Sequence, residues 1–132
     1  MLELTSFQKA VDSLREAFSC YQKAAAPKEI IRDAVIQRFE YTYELAWKMM
    51  KRWLEINLGS SYVDGIPRKE LFRLAAEHHL IRDPLRWFTY HQASNQTSHV
   101  YDESIAKRVF EVTEDFAEDV QQFFSELEKR ND

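Results

Sequence analysis

Tight-turn residues are scarce in this chain: of 132 residues, two are glycine and three are proline. That scarcity disfavours an all-β fold, which needs a turn every few residues, and favours long helices with few connections. One cysteine is present, Cys20. A lone thiol makes no internal disulfide and offers no second sulfur to a metal, so a buried structural thiol in a reducing compartment is expected. No apolar run approaches the ~18 residues of a membrane span, and the first residues show neither a basic start nor an apolar signal core. A soluble, cytoplasmic protein forming a single domain over residues 1–132 is expected, with no membrane partner. Glycine-rich phosphate loops, nucleophile elbows and zinc-type histidine pairs are also missing.

What is there is 45% hydrophobic and 30% charged, enough for a real core. The net charge of −4 is unevenly spread. Residues 28–101 carry 11 Lys and Arg against 9 Asp and Glu, whereas residues 102–132 carry 4 against 10. An acidic chain argues against nonspecific duplex binding, which depends on neutralising phosphates. A local basic patch holding a nucleotide or a short single strand stays compatible with it.

The apolar spacing is helical throughout. Over residues 3–25, Phe7, Val11, Leu14, Phe18 and Tyr21 form one stripe, with Thr5 or Ser6 as the expected N-cap and Pro27 beyond the end. Pro27 is then the expected first residue of a helix running to about Asn57, ended by Gly59. It carries two stripes: Ile31, Val35, Leu45, Met49, Ile56, and Ile36, Phe39, Tyr43, Trp47, Met50, Leu54. A helix apolar on two sides packs on two sides, so it reads as the central element. Arg38 interrupts the first stripe, where a half-buried pair with Glu40 or Glu44 is the simplest expectation. The segment "LGSSYVDGIP" reads as a loop. After it, "PRKELFRLAAEHHL" turns Leu71, Leu74, Ala75 and His78 inward, and "PLRWFTYHQAS" does so with Leu85, Trp87, Phe88 and His91. Residues 103–130 hold the cleanest stripe, from Ile105 through Val109, Val112, Phe116, Val120 and Phe123 to Leu127, with Asp102 as N-cap. The fold expected is all-α, an antiparallel up-and-down bundle, with a dimer covering one side of the central helix.

Few groups stand out as chemistry. His78 and His79 are adjacent, so on a helix they point roughly 100° apart and cannot share a metal. The acids of the last helix face outward and lack the Glu-x-x-His spacing of bundle metal sites. Neither a metal nor another cofactor is expected. The polar stretch "HQASNQTSHVYDE", residues 91–103, is different. His99 precedes a helix start, where free N–H groups favour anions, and a neutral imidazole there suits acid–base work on a ribose hydroxyl or a leaving oxygen. Tyr101 adds a phenol. Trp87, Phe88, Tyr90 and Tyr41 offer stacking faces for bases.

The segments "QRFEYTYELAWKMMKRWLE" (37–55) and "WFTYHQASNQTSHVYDESIAK" (87–107), in this order and spacing, resemble the nucleotidyltransferase substrate-binding protein family, within the wider group of HEPN helical domains. The resemblance spans nearly the whole chain. It implies a four- or five-helix bundle forming homodimers, and a partner: a separate, minimal nucleotidyltransferase, the two acting as a toxin–antitoxin pair. It also implies a signature arginine followed by four to six residues and a histidine, a ribonuclease site across the dimer cleft. In the paired systems the signature extends to His-x-Tyr, whose tyrosine the partner nucleotidylates.

Carried over by position, His99 matches the signature histidine, Tyr101 the tyrosine, and Asn95 the polar residue after the arginine. The arginine slot itself holds Ser94. Arginine there is expected to hold phosphate and stabilise developing charge, which serine cannot do; losing one such group typically costs on the order of 10²–10³ in rate. Arg38 and Arg86 are the candidate substitutes. The expected site is therefore Arg38, Ser94, Asn95, His99 and Tyr101, binding a nucleotide or RNA. Three functions follow: a non-catalytic binding subunit presenting a nucleotide or Tyr101 to its partner, a metal-independent ribonuclease using His99, or a helical dimer with a merely structural connector.

Overall fold

The computed structural model describes residues 2–131. Among these the regular structure is helical: α1 (Thr5–Lys23), α2 (Lys28–Leu58), α3 (Ser60–Val63), α4 (Arg68–Glu77), α5 (Pro84–Ser94), a 3-10 turn at Thr97–His99 and α6 (Glu103–Arg130). No described helix is long and apolar enough to cross a membrane.

The helix ends show how local chemistry sets the boundaries. Neither Thr5 nor Ser6 caps α1; Leu4 occupies that position without a side-chain bond. Glu3 takes over, because its longer carboxylate reaches forward to accept the Thr5 amide at 2.9 Å. Ala24, in the left-handed region at φ 51°, ends α1 with its N–H on the Cys20 and Tyr21 carbonyls. Pro27 sits one position earlier than expected, as N-cap of α2, with ψ 135°. Asp83 caps α5 by accepting the Leu85 amide, with Pro84 at the first turn. Asp102 caps α6 as expected, accepting from the Ser104 and Ile105 amides.

Contacts between helices give their directions. Phe7 meets Phe123 and Phe124 while Tyr21 meets Phe110, so α1 and α6 are antiparallel. The Thr42 hydroxyl donates to the Ala10 carbonyl and Arg38 to that of Ser13, so α1 and α2 are antiparallel too. Tyr43 meets Arg68 and Trp53 meets His78, which makes α4 run parallel to α2. Strict up-and-down alternation therefore fails at one place. The expected loop after Gly59 contains a one-turn helix, α3, whose Val63 is fully buried. Anchored by Val63, this segment doubles back along α2, so α4 starts low and rises beside it.

The core is aromatic. Phe39, Tyr43, Trp87, Tyr90, Phe116 and Phe123 are all at most 1% exposed, and Phe116 takes edge-on contacts from Phe39, Trp87 and Tyr90 at 4.9–5.7 Å between ring centres. Such pairs add about 0.5–1.5 kcal/mol each beyond burial. Phe72 and Tyr90 join this core although the stripes of their helices did not single them out, whereas Leu85 and Ile56 are exposed. Cys20 is half-buried, packed against the core edge. The chain ends are tied together: Leu2 donates to the Asn131 side chain at 2.8 Å, which returns a bond to the Leu2 carbonyl at 3.0 Å.

Candidate functional site

The connector between α5 and α6 is helical in character rather than extended. Asn95 and Gln96 keep right-handed backbone angles past the end of α5, and Thr97–His99 form a 3-10 turn. Short hydroxyl side chains hold this tight path. Ser94 donates to the His91 carbonyl at 2.7 Å, and the buried Thr97 donates to that of Ser94 at 2.9 Å. Backbone bonds then run from His99 to Gln96 and from Asp102 to His99. The Arg32 guanidinium clamps the far end through Glu103 at 2.6 Å.

On this rigid path, His99 and Tyr101 project outward. Both are exposed, Tyr101 at 86%, and their rings lie 6.2 Å apart at 71°. Asn95 is exposed beside them. Asp102 is held below the usual carboxylate range, first by the Ser104 hydroxyl and then by the capped amides. It stays ionised one residue from Tyr101.

The arginines are placed differently from expectation. Arg38 pairs with neither Glu40 nor Glu44. It reaches across to α1, donating to the Ser13 carbonyl at 2.6 Å and lying 3.5 Å from Glu16, because the antiparallel α1 brings a carbonyl and an acid to that level. Arg86 bonds Asp119 at 2.7 Å and approaches Asp115 at 3.8 Å. At 1.5 Å per residue those acids lie about 18–24 Å along α6 from Glu103, so Arg86 does not serve His99 within one copy. Arg108, not singled out by the sequence, is nearer: its charge acts on Asp102, and with Gln92 and Gln96 it lines a groove of about 230 Å³ between α5 and α6. Its spacing of one residue from Val109 in the α6 stripe was the available signal.

The stacking residues also divide. Trp87 and Tyr90 are core residues with no free face. Phe88 is half-buried with the cations of Lys69 and Arg73 near it, and Tyr41 hydrogen-bonds Ser13 on α1. His91 opens the polar stretch but lies on α5 and faces inward, as its helical spacing led one to expect. Its Nδ1 lies 2.8 Å from the Tyr43 hydroxyl and 3.5 Å from Arg68, whose guanidinium stacks 3.6 Å above the Trp47 ring. Burial, then the Arg68 charge, lowers the His91 pKa, keeping the ring neutral. Burial pushes Tyr43 up to about 12. Sequence reasoning missed this cluster.

A helical bundle with an exposed His-x-Tyr pair between its last two helices is the class this geometry defines. The chain belongs to the family described as nucleotidyltransferase substrate binding protein like, whose model matches residues 2–129. It is 34% identical over 107 residues to a Haemophilus influenzae protein named "Probable ribonuclease HepT", covering 77% of this chain and 73% of that one. Its fold is similar to a Haemophilus influenzae structure described as revealing the fold of a substrate binding domain of a nucleotidyltransferase, with TM-score 0.88 and 28% identity over 96% of this chain and 99% of that one. A Thermus thermophilus crystal structure is also similar, with TM-score 0.73 and 32% identity over 90% and 96% of the two chains.

Proposed function

We propose that this protein is the substrate-binding half of a two-protein nucleotidyltransferase system, presenting Tyr101 as acceptor and cutting no RNA itself. The observation that carries the reading is the connector: a fully presented phenol beside an exposed imidazole, with Ser94 in the arginine slot and its hydroxyl turned onto its own helix. Among the described residues no arginine bonds to His99. The family membership and the likeness to a nucleotidyltransferase's substrate-binding domain support a separate, minimal nucleotidyltransferase as partner.

In the proposed step the partner binds a nucleoside triphosphate. The Tyr101 phenolic oxygen attacks the α-phosphorus, the bond from that phosphorus to the bridging oxygen breaks, and pyrophosphate leaves. The phenol proton passes to a base, for which the exposed His99 is placed. Ser94 and Asn95 offer hydrogen bonds to the incoming nucleotide, while Arg108 takes the cationic role foreseen for Arg38. The pair acts in the cytoplasm as a toxin–antitoxin couple, with this chain a homodimer.

Incubating the protein with its partner and each nucleoside triphosphate, then measuring intact and peptide masses, tests this. A nucleotidyl adduct on Tyr101, absent in Tyr101→Phe, is expected. An active partner that leaves the protein unmodified, or an adduct that persists in Tyr101→Phe, contradicts it.

A second reading rests on the relative named as a ribonuclease. In it His99 is the catalytic acid or base and Arg108 replaces the signature arginine. It requires metal-independent RNA cleavage lost in both His99→Ala and Arg108→Ala.

A further inference from the structure

Four arginines of this chain are half-buried: Arg32, Arg38, Arg68 and Arg130. Three of them pair with a carboxylate, Arg32 with Glu103, Arg38 with Glu16 and Arg130 with Glu126. Among the described residues Arg68 pairs with none. Its Nη1 donates to the Tyr43 hydroxyl at 3.0 Å and lies 3.5 Å from His91 Nδ1, leaving Nε and Nη2 without a bonded partner. A partly desolvated, unpaired cation is costly, and its retention in a fixed pose needs an explanation.

The pose is well defined. The guanidinium carbon lies over the Trp47 indole, 3.6 Å from the ring centre, and the group is steered by Tyr43 and His91, so its planar fork is pre-organised. Arg68 donates to the Tyr43 oxygen, and Tyr43 in turn donates to Nδ1 of the neutral imidazole. That chain of bonds leaves the His91 proton on Nε2, as a donor. The indole Nε1 of Trp47 is itself buried with no hydrogen-bond partner among the described residues.

Trp47, Arg68 and His91 line one cavity of about 310 Å³ between α2, α4 and α5, together with Lys51, Ile66 and Leu71, while Tyr43 lies buried behind them. Lys51 forms no ion pair among the described residues, and the acid on the same stretch of α2, Glu44, is engaged by Lys48 at 3.5 Å. Two cations, an imidazole donor and an apolar floor thus converge on a space of small-ligand size.

We infer that the cavity bounded by Trp47, Lys51, Arg68 and His91 is a binding site for a small phosphomonoester, such as a mononucleotide. The Arg68 fork takes two phosphate oxygens, Lys51 supplies the second positive charge, and the His91 Nε2–H supplies a third contact. A dianion matches two cations, and a cavity of about 310 Å³ is of the size of a terminal phosphate and its immediate neighbours rather than of a continuous polynucleotide backbone. The inference stands apart from the connector: Tyr101 and His99 contribute nothing to this cavity.

Calorimetric titration of the purified protein with AMP, inorganic phosphate, adenosine and a short single-stranded RNA lacking terminal phosphates tests it. AMP and phosphate are expected to bind. Adenosine and the RNA are expected to bind at least about ten-fold more weakly than AMP, since they lack the dianion. Arg68→Gln and Lys51→Gln should each weaken AMP by about ten-fold or more, while Lys107→Gln, at an exposed cation of α6 outside the cavity, leaves it unchanged. Lys51 is the safeguard should Arg68→Gln unfold, because its side chain makes no ion pair whose loss would disturb the fold. In parallel, the imidazole resonances of His91, flanked by Arg68, Tyr43, Lys51 and Glu44, should titrate at higher pH with phosphate bound. Absence of AMP binding at millimolar concentration, tighter binding of the RNA than of AMP, or AMP affinity untouched in Lys51→Gln overturns the inference. None of these outcomes bears on nucleotidyl transfer to Tyr101.

Discussion

Adjacent residues on α5 anchor two arginine–tyrosine clusters of opposite character. Tyr90 faces α6, where its hydroxyl donates to Asp119 and Arg86 bonds the same carboxylate oxygen. His91, about 100° around the helix, faces α2, where it joins Tyr43 and Arg68. In the first cluster the arginine's charge is met by Asp119 and Asp115, and both Arg86 Nε and the Tyr90 hydroxyl find the Asp119 carboxylate. In the second an imidazole stands where the carboxylate would be, and among the described residues the arginine beside the cavity has no ion-pair partner. The contrast separates a cluster that closes the fold from one left open to a ligand. Charge compensation distinguishes them, since both contain one arginine and one buried tyrosine.

Removing the compensating acid should have the largest effect. Asp119→Ala leaves the buried Tyr90 hydroxyl without an acceptor and removes the shorter of Arg86's two ion pairs, and a loss of about 2–3 kcal/mol is expected in denaturant unfolding. The equivalent change in the open cluster, Arg68→Gln, removes a cation–π stack and one hydrogen bond to a neutral group, so about 1 kcal/mol is expected. Equal losses in the two variants would remove the distinction.

The clusters also differ in how they respond to pH. Both tyrosines have folded pKa values above the ordinary 10, Tyr43 at about 12 through burial and Tyr90 higher through burial and Asp119. For such groups the folded state keeps protons that the unfolded state has lost, so stability holds below pH 10 and falls as pH rises above it. Unfolding midpoints measured from pH 8 to 11 should drop above 10, and Tyr90→Phe and Tyr43→Phe should each flatten the drop. On the acid side the open cluster contributes through His91. The folded pKa of His91 is lowered, so its stability contribution is present above the unfolded value of 6.5 and is lost as pH falls below it. His91→Gln should flatten that limb.

The smallest stability effects belong to the connector's presented groups. His99→Ala and Tyr101→Phe should alter stability by no more than about 0.5 kcal/mol, because neither side chain is buried. A larger loss in thermal unfolding would mean that they hold the fold rather than face a partner.

Much of this architecture was legible in the residues. The stripe of α6 repeats at four and three without interruption, and Val109, Phe116, Val120, Phe123 and Leu127 of it are buried; Ile105 and Val112 stay half-buried, while the neighbouring Ala106, Thr113 and Phe124 are buried instead. Asp102 capped where a short carboxylate before a helix should. The path of α3 and α4 was not legible, since turn-forming residues announce a loop without saying where it leads; the buried Val63 decides that, through tertiary contact. The connector was readable as chemistry through Asn95, His99 and Tyr101, but its helical path depends on the Ser94 and Thr97 hydroxyls bonding back to the chain. The open cluster was hidden for a simpler reason. Tyr43, Arg68 and His91 come from three helices, each more than twenty residues from the next, and no local pattern joins them.

The central claim is that Ser94 leaves the connector able to present groups but unable to cut RNA. It is tested most directly by incubating single-stranded RNA with the purified protein in the absence of metal, comparing wild type, His99→Ala and Ser94→Arg. The account predicts intact RNA with wild type and with His99→Ala, and cleavage appearing only in Ser94→Arg. Cleavage by wild type that disappears in His99→Ala would contradict it.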